Sequence, residues 1–164
     1  MAITIRDYQK SDAGAILDII NYNILHSTAL YDYSIRSLAQ QEAILESKLA
    51  SGFPVIVAEN EGAVVGFGMY SEFRFREAYK FTVEHSVYVD QNSQGLGIGK
   101  LLLTELIQLA KKQGLHTMIG VIDAENQKSI DFHHRFGFKT VGIIKESGFK
   151  FDKWLDSVFV QLMV

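Results

Sequence analysis

The stretch from Thr82 to Gln113 restricts this chain more than any other: TVEHSVYV, a polar break, a glycine-rich turn, then a helical repeat. Thr82 to Val89 is rich in β-branched residues and reads as a strand. From Gly99 to Gln113, residues Leu102, Leu103, Leu106, Ile107 and Ala110 recur on one helical face, and Gly114 supplies the stop. Between them lies Gln94-Gly95-Leu96-Gly97-Ile98-Gly99-Lys100. A strand that hands the chain to a helix through glycines points the free amides of the helix N-terminus at whatever lies beyond the strand. Glycines let successive N–H groups converge on an anion, and the helix dipole adds to that attraction. The same residues equally fit a turn that binds nothing.

The remaining periodicities place this unit in a larger sheet. Ile3 to Arg6 alternates as a short strand, and Ser11 to Ile24 sets Ala13, Ile16, Leu17, Ile20 and Ile24 on one helical face. Ser37 with Gln40 three residues on is a capping-box pattern that opens a second helix. Pro54 leads into the apolar strand Val55 to Ala58, Glu61 and Gly62 make a turn, and Val64 to Tyr70 returns as a hairpin partner. Thr117 to Ile122 reads as a strand and Asn126 to Phe136 as a helix ended by Gly137. Phe138 to Ile144 and Val158 to Met163 are expected to close the sheet. Strands interleaved with helices predict an α/β or α+β single sheet with helices on both faces. No internal repeat or break in composition divides the chain, so one domain, 1–164, is expected.

Three phosphate-binding patterns compete for the glycine turn. A dinucleotide fingerprint needs glycine where Lys100 stands, and a P-loop needs glycine at Gln94 and a hydroxyl residue at Leu101. The third, Gln/Arg-x-x-Gly-x-Gly/Ala, is met by Gln94, Gly97 and Gly99. Together with REAYKFTVEHSVYVDQNSQGLGIGKLLLTELI, the Asn126-x-x-Ser129 helix ending in His133-His134-Arg135-Phe136-Gly137-Phe138, and GFKFDKWLDSVFVQL, this resembles the GNAT superfamily of acetyltransferases. Within it the chain looks most like the phosphinothricin and methionine sulfoximine acetyltransferase branch, a likeness that covers most of the chain from Tyr70 onward. The resemblance implies a single mixed, mostly antiparallel sheet of about six or seven strands with a splayed central pair. It also implies acetyl-CoA as co-substrate, with no metal.

By that resemblance the backbones of Val87, Tyr88 and Val89 would pair with the pantetheine arm, as a ligand adding itself to a sheet edge. Gln94, Gly95, Leu96, Gly97, Ile98, Gly99 and Lys100 would hold the pyrophosphate. Asn126 and Ser129 would complete the cofactor site, although Asn126 alone equally fits a helix N-cap. For Val87 and Val89, core packing is compatible with the same backbone role.

Acetyl transfer to an amine requires loss of an ammonium proton, stabilisation of the thioester oxygen as it gains charge, and departure of a thiolate. Glu84 is a carboxylate inside an otherwise apolar strand and resembles the family's general base; a strand residue reaching solvent or an arginine is the alternative. His133 occupies the position where many family members carry a tyrosine that can protonate the thiolate. In the phosphinothricin branch this histidine is proposed to work with the strand glutamate. A core histidine bonded to a carbonyl fits as well. The neighbouring His134 points about 100° away around the helix and reads as a surface residue.

Arg74 and Arg76 would share a face if their segment is extended, and paired guanidinium groups suit a carboxylate or phosphinate. With Tyr31, Phe75, His85 and Glu84 they form the candidate substrate-binding set, and Tyr33 and Tyr79 are further candidates for a pocket wall. The branch implies an amino-acid-like amine such as phosphinothricin, methionine sulfoximine or methionine sulfone. Asp152 stands in KFDKW where a glycine is common in the branch, which puts the shape of that loop in question.

Composition removes several classes. There is no cysteine, hence no disulfide, thiolate metal site or cysteine nucleophile, which favours direct transfer within a ternary complex. No His-Glu-x-x-His or similar spacing suggests a metal. Net charge −3 with scattered basic residues argues against nucleic acid, and neither a membrane span nor a secretory signal is evident in the sequence. A cytoplasmic homodimer is the expected setting. Acetylation of protein N-termini or lysines, and a non-catalytic acetyl-CoA sensor, are the competing functions.

Overall fold

The computed structural model describes residues 3–164; the first two residues of the expected 1–164 domain lie outside the described residues. Seven strands form one sheet in the order β1-β2-β3-β4-β5-β7-β6. They are β1 (Thr4–Asp7), β2 (Val55–Asn60), β3 (Ala63–Glu72), β4 (Thr82–Val89), β5 (Thr117–Asp123), β6 (Lys139–Lys150) and β7 (Lys153–Met163). The helices are α1 (Ala13–His26), α2 (Leu38–Ala50), α3 (Ile98–Lys112) and α4 (Gln127–Arg135). Every neighbouring pair is antiparallel except β4 and β5, which run parallel.

Period-two alternation sorts side chains to two cores. Ile56 and Ala58 of β2 face the α3 side with Tyr70, Val83, Met118, Val158 and Val160, where Leu102, Leu103, Leu106 and Ala110 of α3 cover them. Val55 and Val57 face the other side with Phe67 and Met69, under Ile16, Ile20 and Ile24 of α1 and Leu45 of α2. On α1, Ile19 is buried while Leu17, expected inward, is only half-buried, because the helix lies against α2 as well as the sheet. The capping box that opens α2 is formed: Ser37 Oγ accepts from the Gln40 amide at 3.2 Å and Gln40 Oε1 accepts from the Ser37 amide at 2.9 Å.

The closing hairpin departs from its expectation. β6 and β7 continue to Lys150 and from Lys153, far beyond Ile144 and Val158. They meet in a two-residue turn in which Phe151 and Asp152 both take left-handed backbone, at φ 51° and 60°. Aspartate tolerates that region, so Asp152 supports a tight hairpin rather than distorting it. The register slips between Ile144 and Gly148, where Glu146 also has positive φ and donates its amide to Asp156 Oδ1 at 2.8 Å. That slip breaks the alternation on which a strand is recognised.

The outer half of the hairpin is strapped to the segment after α1. Lys150 is buried, and its ammonium donates to the carbonyls of Ser27 and Leu30 at 2.8 and 2.6 Å. Thr28 donates to Asp123 Oδ2 at 2.5 Å, and the Tyr33 hydroxyl donates to the Phe149 carbonyl.

Candidate active site

β4 pairs with β3 along its whole length, from Val83 opposite Glu72 to Val89 opposite Gly66. Against β5 it pairs only at Thr82, Val83 and Glu84, after which the strands diverge. The expected splay is therefore present, and from residue 85 to 89 the β5-facing edge of β4 has no strand beside it. Unpaired strand edge is what a ligand carrying amides would extend. Val87 and Val89 turn their side chains to the α3 core, while Tyr88 stacks on Phe67 across the sheet with ring centroids 5.2 Å apart.

Just past the end of β4, the glycine turn wraps the start of α3. Gly95 and Gly97 have φ of 82° and 77°, and nothing lies within 4 Å of a Cβ built on either. Glycine is needed there for backbone conformation and not for space. Gly97 is the N-cap of α3 and brings no capping side chain. The amides of residues 95 to 100 take no acceptor among the described residues, leaving a row of donors at a helix N-terminus. Gln94, Leu96 and Lys100 are exposed around it, Ile98 anchors the turn in the core, and Gly99 rests near Phe132. These free donors and the free β4 edge fit the pyrophosphate and pantetheine of a coenzyme A thioester.

Successive residues of β4 then divide the chemistry. Glu84 points to the α1/α2 side, where past β4 no helix covers the sheet. It lines an open cleft of about 500 Å³ with Glu72, Phe73, Arg74, Phe75, Val121 and Phe159. Burial raises the Glu84 carboxyl above its ordinary range, and Lys48 of α2 partly offsets this. A carboxyl so placed is a stronger base than an exposed one once ionised.

His85 points the opposite way. It is buried, with Nδ1 2.9 Å from the Ile119 carbonyl and Nε2 2.9 Å from Nε2 of His133. His133 in turn sets Nδ1 2.7 Å from the Ser129 carbonyl. Burial pushes both imidazoles below their usual range. His133 is thus bound to His85 and not to Glu84, which lies on the other face of the sheet. His85, expected among the substrate groups, is outside the cleft for the same reason.

The other candidates separate as well. Arg74 and Phe75 line the cleft, whereas Arg76 does not; each guanidinium lies over its neighbouring ring, Arg74 on Phe73 at 5.4 Å and Arg76 on Phe75 at 5.0 Å. Arg76 stands at the N-cap of a short 3-10 turn at Glu77–Tyr79, so the segment carrying the two arginines does not continue as a strand. Tyr31 packs over Gly148, its hydroxyl 3.4 Å from Ser157 Oγ, on the β6–β7 hairpin. Asn126 is the N-cap of α4, its Oδ1 accepting from the Ser129 amide at 3.1 Å. Residues of the cleft absent from the sequence-based set are Glu72, Phe73, Val121 and Phe159; extending the odd-numbered alternation of β5 from Ile119 would have found Val121.

The residues matched by the acetyltransferase (GNAT) family model are 20–138, most of the chain. The chain belongs to the GNAT family of acetyltransferases. It is 37% identical, over 99% of its length and 95% of the relative's, to the L-methionine sulfoximine/L-methionine sulfone acetyltransferase of Salmonella typhimurium. Among solved structures, a GNAT phosphinothricin acetyltransferase from Sinorhizobium meliloti in complex with acetyl-CoA superposes with a TM-score of 0.96 at 37% identity, covering 100% of this chain and 89% of that one. A ribosomal-protein-alanine N-acetyltransferase from Brucella melitensis superposes with a TM-score of 0.97 at 39% identity, covering 98% and 99%. The fold and the enzyme class are those expected of the splayed sheet and its glycine turn.

Proposed function

We propose that this enzyme transfers the acetyl group of acetyl-CoA to the α-amine of a small amino-acid-like substrate, by direct attack within a ternary complex and as a single domain. The observation that carries this is Glu84, a half-buried carboxylate of raised pKa, at the end of the β4–β5 pairing and in one cleft with Arg74. The amine would enter over Val121 and Phe159, with Arg74 taking an anionic group at its far end. Glu84, directly or through a water, would accept the ammonium proton as the nitrogen attacks the thioester carbonyl. The free backbone of residues 87 to 89 and the donors of residues 95 to 100 would fix the thioester, so that orientation supplies much of the rate. Val87, Tyr88 and Val89 would act here through main chain alone, and Asn126 and Ser129 would complete the cofactor site from α4.

Phosphinothricin, methionine sulfoximine and methionine sulfone are the substrates proposed, on the strength of the relatives that act on them. The cleft is open at one side, and this favours acetylation of a peptide N-terminus as a second reading, in keeping with the Brucella melitensis relative. A two-fold homodimer in the cytoplasm is the proposed setting. It is supported by the edge strand β6, where Val141, Ile143 and Ile144 are all more than half exposed, an unusual apolar edge for a monomer. Net charge −3 supports no nucleic-acid partner, and no helix among the described residues is long and apolar enough to cross a membrane.

Thiol release from acetyl-CoA, followed across these three amines, common amino acids, polyamines and a short peptide, tests the reading. Turnover with the sulfoximine, lost in Glu84→Gln, is expected. Turnover with peptide alone would replace the substrate class and keep the transferase.

A further inference from the structure

The histidine pair makes three short contacts along one line: Ile119 carbonyl to His85 Nδ1, His85 Nε2 to His133 Nε2, and His133 Nδ1 to the Ser129 carbonyl, at 2.9, 2.9 and 2.7 Å. A carbonyl oxygen only accepts, so each Nδ1 must carry a hydrogen. The central contact then needs one more proton, since two bare ring nitrogens at that distance would set lone pair against lone pair. Three hydrogen bonds require three protons, and two neutral imidazoles hold two. Any neutral arrangement leaves one of the three contacts repulsive and buried, where it cannot be relieved by water. The doubly charged pair fails differently: its fourth proton would set two N–H donors head to head across the 2.9 Å central contact, between rings that are each under one-tenth exposed.

We infer that His85 and His133 share a single proton between their Nε2 atoms, forming one imidazole–imidazolium unit with a net charge of +1. The surroundings favour a shared charge over a localised one. Phe132 and Phe138 pack on the rings, and neither ring touches a carboxylate. His134 of α4 is the outer titratable group acting on His133, while Glu84, although adjacent in β4, faces the opposite side. β5 makes room for the pair: a Cβ on Gly120 would lie 2.9 Å from His85 Cε1 and 3.7 Å from His133 Cδ2. The unit titrates as a whole, so neither histidine has a pKa of its own.

The proton count stands on geometry alone; its bearing on catalysis rests on the proposed transfer reading. On that reading a positive charge lies inside the splay on the α4 side, opposite the base, where it favours the departing thiolate without giving up its proton. His85 is then a positioning residue that keeps His133 charged.

The count is read by NMR of protein labelled with ¹⁵N-histidine. His26, His116 and His134 are exposed and their ring protons exchange with water, leaving the buried pair visible. At neutral pH the pair is expected to show three ring N–H protons, one of them coupled to a nitrogen of each ring. Two protons, one per ring, or four would overturn the proposal. Gly120→Ala is expected to separate the rings and abolish the doubly coupled proton; its survival there would also count against the pair's geometry. Glu84→Gln is expected to leave the count at three while removing turnover, which separates this inference from the assignment of the base. In His85→Gln, kcat is expected to fall about tenfold or more with the acetyl-CoA KM unchanged. The pH dependence of kcat that the pair contributes is expected to disappear with it.

Discussion

Glu84 and His85 are consecutive in one strand and live in opposite environments. Glu84 looks into an open cleft lined also by Val121, Phe159 and Arg74, with the charge of Lys48 acting on it. His85 is sealed between Gly120, Phe138 and His133. Strand alternation alone creates the contrast. On the proposed reading the splay does more than expose backbone: it is a gap through which two faces of one sheet would reach the same reacting bond. Amine activation would come from one side, and charge for the leaving group from the other.

The largest expected effect is on the cleft side. Glu84→Gln should lower kcat by about 10²–10⁴-fold while acetyl-CoA binding, measured by calorimetry, stays intact. Because the folded pKa of Glu84 is raised, its contribution to stability is present below the unfolded pKa and is lost as pH rises through the folded one. At neutral pH the ionised form therefore costs stability, and the Gln variant should melt at a higher temperature.

A smaller effect is expected in the glycine turn. Gly97→Ala forces a side chain into left-handed backbone at a cost of about 1–2 kcal/mol, so the KM for acetyl-CoA should rise roughly tenfold with the amine KM unmoved. A rise in amine KM instead would mean that the two sides are not separate. The smallest effects distinguish the arginines. Arg74→Ala should raise the amine KM several-fold, and Arg76→Ala, outside the cleft lining, should leave it near wild type. Equal losses would restore the two-arginine clamp.

Much of this was legible beforehand. The β-branched run of Thr82–Val89 matches β4 to the residue, and the α3 face and the capping box at Ser37 are both visible as patterns. The parts that were not legible share a physical cause. The β6–β7 hairpin hides behind a register slip and a turn of Phe151 and Asp152, without the glycine or asparagine that marks such turns. Lys150 is a charge buried on the inner side of a strand, satisfied by carbonyls distant in sequence. Alternation along β4 separates Glu84 from His85, but that His133 lies on the His85 side is set by where α4 packs beyond β5, which no local pattern shows. The shared face expected of Arg74 and Arg76 assumes an extended segment, and a 3-10 turn stands there instead; alternation puts His85 on the face away from the cleft.

The most direct test of the account is the pH dependence of kcat, with both substrates saturating, for the wild type and Glu84→Gln side by side. The account expects a rising limb in the wild type whose pKa lies above the ordinary carboxylate value of about 4.3, and its loss together with most of the activity in the variant. A variant that keeps the wild-type limb and rate would show that Glu84 is not the base, and that the division of labour across the splay is wrong.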